Sequence, residues 1–177
     1  LLSAFIDSLS ALEGIADVLL IDTGAGINKN IISFGAASDE VLLVTTPEPT
    51  SIRDAYGVLK ALAIATARRV DVTVAVNMAS SPEEGRDVAD RIIAAASQFL
   101  GLTPRYGGSI PRDEAVSLAV RKRTPLLRAF PESEASMRVR AMGARIMGLE
   151  EDSIPPPRGR EIKSFFLRLA RGLVTGK

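Results

Sequence analysis

A carboxylate at the end of an apolar run is the first place in this chain where chemistry could sit. Residues 18–21, Val-Leu-Leu-Ile, lead directly into Asp22, and Thr23-Gly24-Ala25-Gly26 follow. Such a run suits a strand covered on both faces, and glycines just beyond it let the backbone come close to a ligand. Ligands of open α/β sheets collect beyond the carboxyl ends of the strands, which makes Asp22 a candidate phosphate or metal residue. A lone aspartate at a strand end can equally be a turn former.

The elements that must position Asp22 follow from periodicity. Leu2, Phe5, Ile6, Leu9 and Leu12 recur at helical spacing up to Gly14, and a strand is predicted over 17–21. A short helix over 27–37, a strand over 40–46 and a long helix capped by Thr50 or Ser51 come next. A third strand covers 70–77, a helix runs to about Leu100, and a short fourth strand spans 105–111. Helices over 113–123 and 132–147 complete the body. Strands separated by helix-length segments pair in parallel with right-handed crossovers. The expectation is an α/β fold of three layers, a doubly wound and mostly parallel sheet between helices. Its tips, Asp22-Thr23-Gly24, Thr46-Pro47-Glu48, Asn77-Met78 and Pro111-Arg112-Asp113, should line one crevice.

Composition narrows the chemistry. These 177 residues contain neither histidine nor cysteine, which excludes imidazole bases, thiolates, disulfides and ordinary zinc sites from them. A metal would be a hard cation on oxygen ligands, Mg²⁺ first. The 22 basic and 21 acidic residues nearly cancel, so no overall field favours nucleic acid. Arg121-Lys122-Arg123 lacks interleaved aromatics and reads as a solvated face, so DNA is not an expected partner. No apolar run approaches the roughly 20 residues of a membrane span. No signal-peptide pattern opens the chain either, and a soluble, cytoplasmic protein is expected.

A phosphate loop would read G-x-x-x-x-G-K-[ST] between a strand and a helix. The only Gly-Lys pair is Gly176-Lys177, with no strand before it. Residues 24–29 also fail the dinucleotide fingerprint, because Lys29 stands where the third glycine belongs. Yet D-V-L-L-I-D-T-G-A-G-I-N (17–28), D-E-V-L-L-V-T-T-P-E-P-T-S-I-R-D-A-Y (39–56), V-A-V-N-M-A-S-S-P-E-E-G (74–85) and G-S-I-P-R-D-E-A-V (108–116) stand in a telling order. Together they resemble the MinD/ParA class of ATPases with a deviant Walker A loop. The D-T-G-A-G turn and the P-E-P-T-S-I-x-D-A-Y run select its branch of FlhG-type flagellar-number regulators. In that class about 100 residues, carrying the K-G-G-x-G-K-[ST] loop, precede the matched part, a plausible share of a normal domain.

The resemblance implies roles residue by residue. Asp22 matches the Walker B carboxylate, the catalytic and metal residue that holds Mg²⁺ through a water. Gly24 and Gly26 match the switch that moves toward the γ-phosphate. Asn77 matches the residue that bonds the adenine edge. Ile110, Pro111, Arg112 and Asp113 match the loop that walls the base, mostly through its backbone. ATP and Mg²⁺ are the implied cofactors. A nucleotide-sandwich homodimer, flagellar assembly proteins and the inner face of the cell membrane are the implied partners. Asp54 and Tyr56 would meet the partner subunit, or Asp54 would be a solvated first-turn acid.

Without the glycine–lysine loop these residues hold half of a site, and alone they are expected not to turn over ATP. A non-catalytic binding module, a truncated product or a ParA-like partition ATPase are the alternatives, the last weakened by the near-zero charge. The family's phosphate-loop strand lies beside the one ending in Asp22. Its absence predicts unpaired backbone there, and closure by dimerisation, swapping or rearrangement.

Three regions are expected: a partial MinD-like unit over 1–149, a linker stiffened by Pro155-Pro156-Pro157 over 150–160, and an amphipathic helix over 161–177. Ile162, Phe165, Phe166, Leu169 and Leu173 share one face of that helix, with Lys163, Arg168 and Arg171 at its flanks or behind. The stripe can fold back onto the domain. It can also lie in an anionic membrane interface with Lys163, Arg168, Arg171 and Lys177 at the headgroups, which the resemblance favours.

Overall fold

Branched aliphatic runs make the strands, and prolines and cap residues start the helices between them. The computed structural model describes residues 16–67, 69–149 and 162–174, except the side chains of Ile162, Lys163, Leu173 and Val174. The helix expected over 2–12 and the proline linker lie outside these residues. In chain order the elements are α1 (Lys29–Ala37), β1 (Glu40–Thr45), α2 (Pro49–Ala65), β2 (Asp71–Ala79), α3 (Pro82–Leu100), β3 (Arg105–Pro111), α4 (Glu114–Arg121), α5 (Leu126–Ala129), α6 (Glu134–Ile146) and α7 (Ile162–Val174). The strands form one parallel sheet in the order β1-β2-β3, with Glu40 opposite Asp71 and Thr73 opposite Arg105.

Central β2 is buried continuously from Val72 to Val76, as an apolar run covered on both faces must be. Helices sandwich the sheet. A Cβ at Gly85 of α3 would fall 2.3 Å from Ser109 Cβ, so only glycine lets this helix settle on β3. One at Gly108 would lie 3.7 Å from Met142 Cε of α6. Ser109 and Gly108 are successive strand residues and face opposite sides, which puts α3 and α6 on opposite faces. Leu59, Leu62, Val74, Val76 and Ile92 are the largest apolar side chains fully enclosed between the layers. At the starts of the strands, the Glu40 carboxylate accepts from the Thr73 hydroxyl and, at 2.8 Å, from Arg105 Nη2, tying all three strands together.

Two expectations need correction. Residues 16–28 carry no regular secondary structure, and Val18, Leu19 and Leu20 are 53%, 44% and 82% exposed, so the strand predicted over 17–21 does not form. An apolar run becomes a strand only with a neighbour to share its hydrogen bonds, and β2 is the one described partner of β1. Helix α2 is not capped by Thr50 or Ser51. Pro49, with its φ already helical, starts it behind Glu48. The Ser51 hydroxyl instead accepts from Thr46 N at 3.0 Å and bonds Thr45 Oγ1 at 3.0 Å, securing the tip of β1.

Of the two places open to the amphipathic helix, the structure shows it folded back on α1. Phe165 and Leu169 of α7 are buried with Ala37 of α1, and Ile21, Phe34 and Phe166 pack around them. The two phenylalanine rings meet edge to face at 4.8 Å. Arg168, expected at headgroups, donates from Nε (2.9 Å) and Nη2 (2.5 Å) to Ala37 O and lies 3.3 Å from Asp39 Oδ1. A guanidinium at the carbonyl end of α1 meets both its unpaired acceptor and its negative dipole. Phe165 and Leu169 are therefore covered by α1 in this structure, because Phe34 and Ala37 offer them a complementary surface. Arg171 is exposed. Among the described residues no helix is long and apolar enough to cross a membrane.

Candidate functional site

Two of the expected tips are wired together by backbone. Pairing sets Asn77 opposite Ile110 and Ala79 opposite Pro111, and Arg112 N donates to Ala79 O at 3.0 Å. Pro111, Arg112 and Asp113 thereby flank the Asn77-Met78 tip. Two residues of β2 advance there for one of β3, so Met78 is the extra residue of a bulge, with φ +59°. Half-buried Asn77 turns its Oδ1 back to accept from Met78 N at 2.9 Å.

The loops behind these tips are closed by caps. Ser81 accepts from Glu84 N, while the Glu84 carboxylate accepts from Ser80 Oγ (2.5 Å) and Ser80 N (2.6 Å). Those two bonds, the hydroxyl first, hold the Glu84 carboxyl below the usual carboxylate range. Asp113 accepts from Ala115 N (2.8 Å) at the start of α4 and from Ala135 N (3.0 Å) at the start of α6. The Ala135 N–H, then the Ala115 N–H, lower its pKa. Each Asp113 oxygen thus accepts one backbone N–H, tying the starts of α4 and α6 to this loop.

The Asp22 loop is held by other means. Asp22 and Gly24 are exposed. Gly26 sits at φ +108°, a conformation that calls for glycine, whereas a Cβ at Gly24 would meet nothing within 4 Å. Asn28 caps α1 by accepting from Ile31 N at 3.0 Å. Ile27 approaches α2 at Gly57, and Ile21 is fixed by the aromatic cluster under α7. At the tip of β1, Thr46 Oγ1 is buried with no hydrogen-bond partner among the described residues.

No cluster of three or more acidic side chains able to hold a metal occurs among the described residues. Mg²⁺ keeps several waters and needs only one or two carboxylates besides substrate phosphates, so a single exposed Asp22 fits a metal arriving with a nucleotide. A cavity of about 490 Å³ lined by Lys60, Ala63, Ile64, Ala67, Phe99 and Leu100 lies at the far ends of α2 and α3, away from the tips. Asp54 pairs with Arg53 in solvent, whereas Tyr56 packs on the main core. Arg121, Lys122 and Arg123 are exposed, with Lys122 Nζ 4.8 Å from the centroid of the Phe130 ring. Sequence reasoning missed the Met78 bulge and the Ser51 tie. Nothing in a run of alternating Val and Ala signals the first, and the second required knowing that Pro49 starts α2.

No protein-family model matches the chain. It is 38% identical to the antiactivator FleN of Pseudomonas aeruginosa, across 98% of this chain and 61% of that protein. It is 32% identical to the flagellum site-determining protein YlxH of Helicobacter pylori, across 97% of this chain and 58% of that protein. The chain thus spans about three fifths of the length of these relatives. Its fold matches the MinD cell division protein of Aquifex aeolicus with a TM-score of 0.63 and 24% identity, over 89% of this chain and 64% of that one. With this parallel sheet, this order of strand tips and these relatives, the chain belongs to the MinD/ParA family.

Proposed function

On its likeness to FleN and YlxH, we propose that the chain works as part of an ATP-binding regulator of flagellar number or placement, one that dimerises with nucleotide and associates with the membrane. The observation that carries the proposal is the likeness to both proteins along almost the whole chain, with the Thr46, Asn77 and Pro111 motifs at the tips of the three strands. Asn77 and the backbone of Pro111-Arg112-Asp113 would take the base. Asp22 would take Mg²⁺ through a water and serve hydrolysis, with Gly24 and Gly26 moving beside it. ATP with Mg²⁺ would supply the phosphoryl chemistry that these residues position. Exposed Val18, Leu19, Leu20, Leu42 and Val44 give this chain apolar surface for a homodimer or a fuller sheet to cover.

The tail enters as a helix with two resting places. Docked on α1 it hides Phe165 and Leu169. Released, it would set the same stripe into an anionic membrane, with each basic residue adding only about 1 kcal/mol. Binding would then be reversible, salt-sensitive and much tighter with the two tails of a dimer. A second reading is favoured by the exposed, unladdered Asp22 loop: these 177 residues alone act as a binding module without turnover. Co-sedimentation with phosphatidylglycerol vesicles tests the first, using protein made from the whole reading frame. ATP should drive wild type onto vesicles and leave Phe165→Glu/Phe166→Glu in solution; equal sedimentation of both overturns it.

A further inference from the structure

Charge is spread unevenly over this fold. From Arg112 to Ile146, through α4, α5 and α6, eight arginines and lysines stand against four acids, in a chain whose whole net charge is +1. Two of those acids are already engaged. Asp113 accepts from backbone at the starts of two helices, and Glu134 pairs with Arg138 one turn along α6. Arg121, Lys122, Arg123 and Arg128 are exposed, and none of the four joins an ion pair among the described residues. Cations gathered in this way repel one another, and an anionic partner relieves the repulsion.

In sequence the Arg121-Lys122-Arg123 run reads as a solvated face, but in the structure it borders apolar surface. Helix α4 reads Glu-Ala-Val-Ser-Leu-Ala-Val-Arg and buries only Ala119. Val116 and Val120, one turn apart on the same side, are 39% and 72% exposed, and Leu118 and Leu127 are exposed as well. Helix α5 packs against α4, which brings Leu127 and Arg128 beside its end. The region is held in place beforehand: Lys122 Nζ stands 4.8 Å from the centroid of the Phe130 ring, and Arg140 Nη1 donates to Pro131 O at 3.0 Å. A phosphate chain would use the cations and leave the valines in water. A membrane interface is met by longer helices with Trp, Phe or Leu on the apolar side, whereas α4 has eight residues and its most exposed apolar side chain is Val120. An acidic protein helix uses both parts of the surface. We propose that α4 and α5 dock an acidic amphipathic helix of another protein, its apolar stripe against Val116, Val120 and Leu127 and its carboxylates on Arg121, Lys122, Arg123 and Arg128. This docking does not depend on the nucleotide reading above.

The test is fluorescence anisotropy on protein made from the whole reading frame. The probes are a labelled synthetic helix with leucines on one face and glutamates on the other, the same residues shuffled so that the stripe is lost, a labelled single-stranded oligonucleotide, and phosphatidylglycerol vesicles in competition. The striped peptide should bind, more weakly as salt rises, and the shuffled one at least about tenfold more weakly. Val120→Asp and Arg121→Glu/Arg123→Glu should each weaken the striped peptide about tenfold, with the melting temperature unchanged because these side chains are exposed. Val120→Ile should stay within about twofold of wild type. No binding of the striped peptide, equal binding of the shuffled one, or binding unaffected by Val120→Asp overturns the proposal. So does tighter binding of the oligonucleotide or the vesicles through these residues, or self-association of the protein that Val120→Asp abolishes.

Discussion

At the tips of β2 and β3, backbone hydrogen bonds and the caps at Ser81 and Asp113 fix each residue from both sides. Between Ala16 and Asn28 the chain has no ladder, and its anchors are the Asn28 cap and apolar contacts at Ile21 and Ile27. The tips proposed to take the base are therefore set by directional bonds within one sheet. The loop proposed to take the metal hangs on side-chain packing, and part of that packing belongs to the tail helix. Ile21, which touches the Phe165 cluster, is the residue directly before Asp22. Release of α7 should loosen the Asp22 loop and leave Asn77 and Pro111 where they are.

The largest expected effect breaks the sheet half. Leu59 is fully buried in the main core, and Leu59→Ala should lower global stability in urea by about 2–5 kcal/mol. Phe165→Ala separates the halves. Hydrogen exchange should quicken in 29–37 and 162–174 by about tenfold or more, with 71–79 and 105–111 unchanged. Equal loss of protection in both sets would dissolve the distinction.

Arg168→Ala should do the same more weakly, by about 1 kcal/mol of docking, since it removes hydrogen bonds to Ala37 O and a partly exposed pair with Asp39. Arg168→Lys should restore little, because an ammonium cannot bond carbonyl and carboxylate as a fork. The smallest effect belongs to Asp113. Its folded pKa lies below the ordinary 3.8, so its contribution is full above that value and fades as pH falls through the lowered one. Asp113→Asn should reduce the melting temperature by a constant margin from pH 7 to about pH 5, and the margin should shrink below about pH 4. A margin that widens in acid would contradict the capping geometry.

What sequence could and could not reveal follows the same division. β1, β2 and β3 were legible because each reads as a short apolar run between turn formers, and α3 because Ser81-Pro82-Glu83-Glu84 announces its start. Residues 17–21 read just as clearly as a strand and are not one, because strand formation depends on a neighbour that no local pattern encodes. The tail stripe was legible as amphipathic. Whether it met lipid or protein depended on Phe34 and Ala37, more than 120 positions earlier in the chain. The Met78 bulge depends on the register between two strands and was invisible in either one.

Phosphate release from magnesium ATP is the direct test, measured on protein from the whole reading frame with and without Asp22→Asn. Asp22 is exposed and carries little packing, so the substitution should leave the melting temperature in place. The account predicts Mg²⁺-dependent hydrolysis in wild type, its loss in the variant, and none from the 177 residues alone. Turnover retained by Asp22→Asn would contradict it.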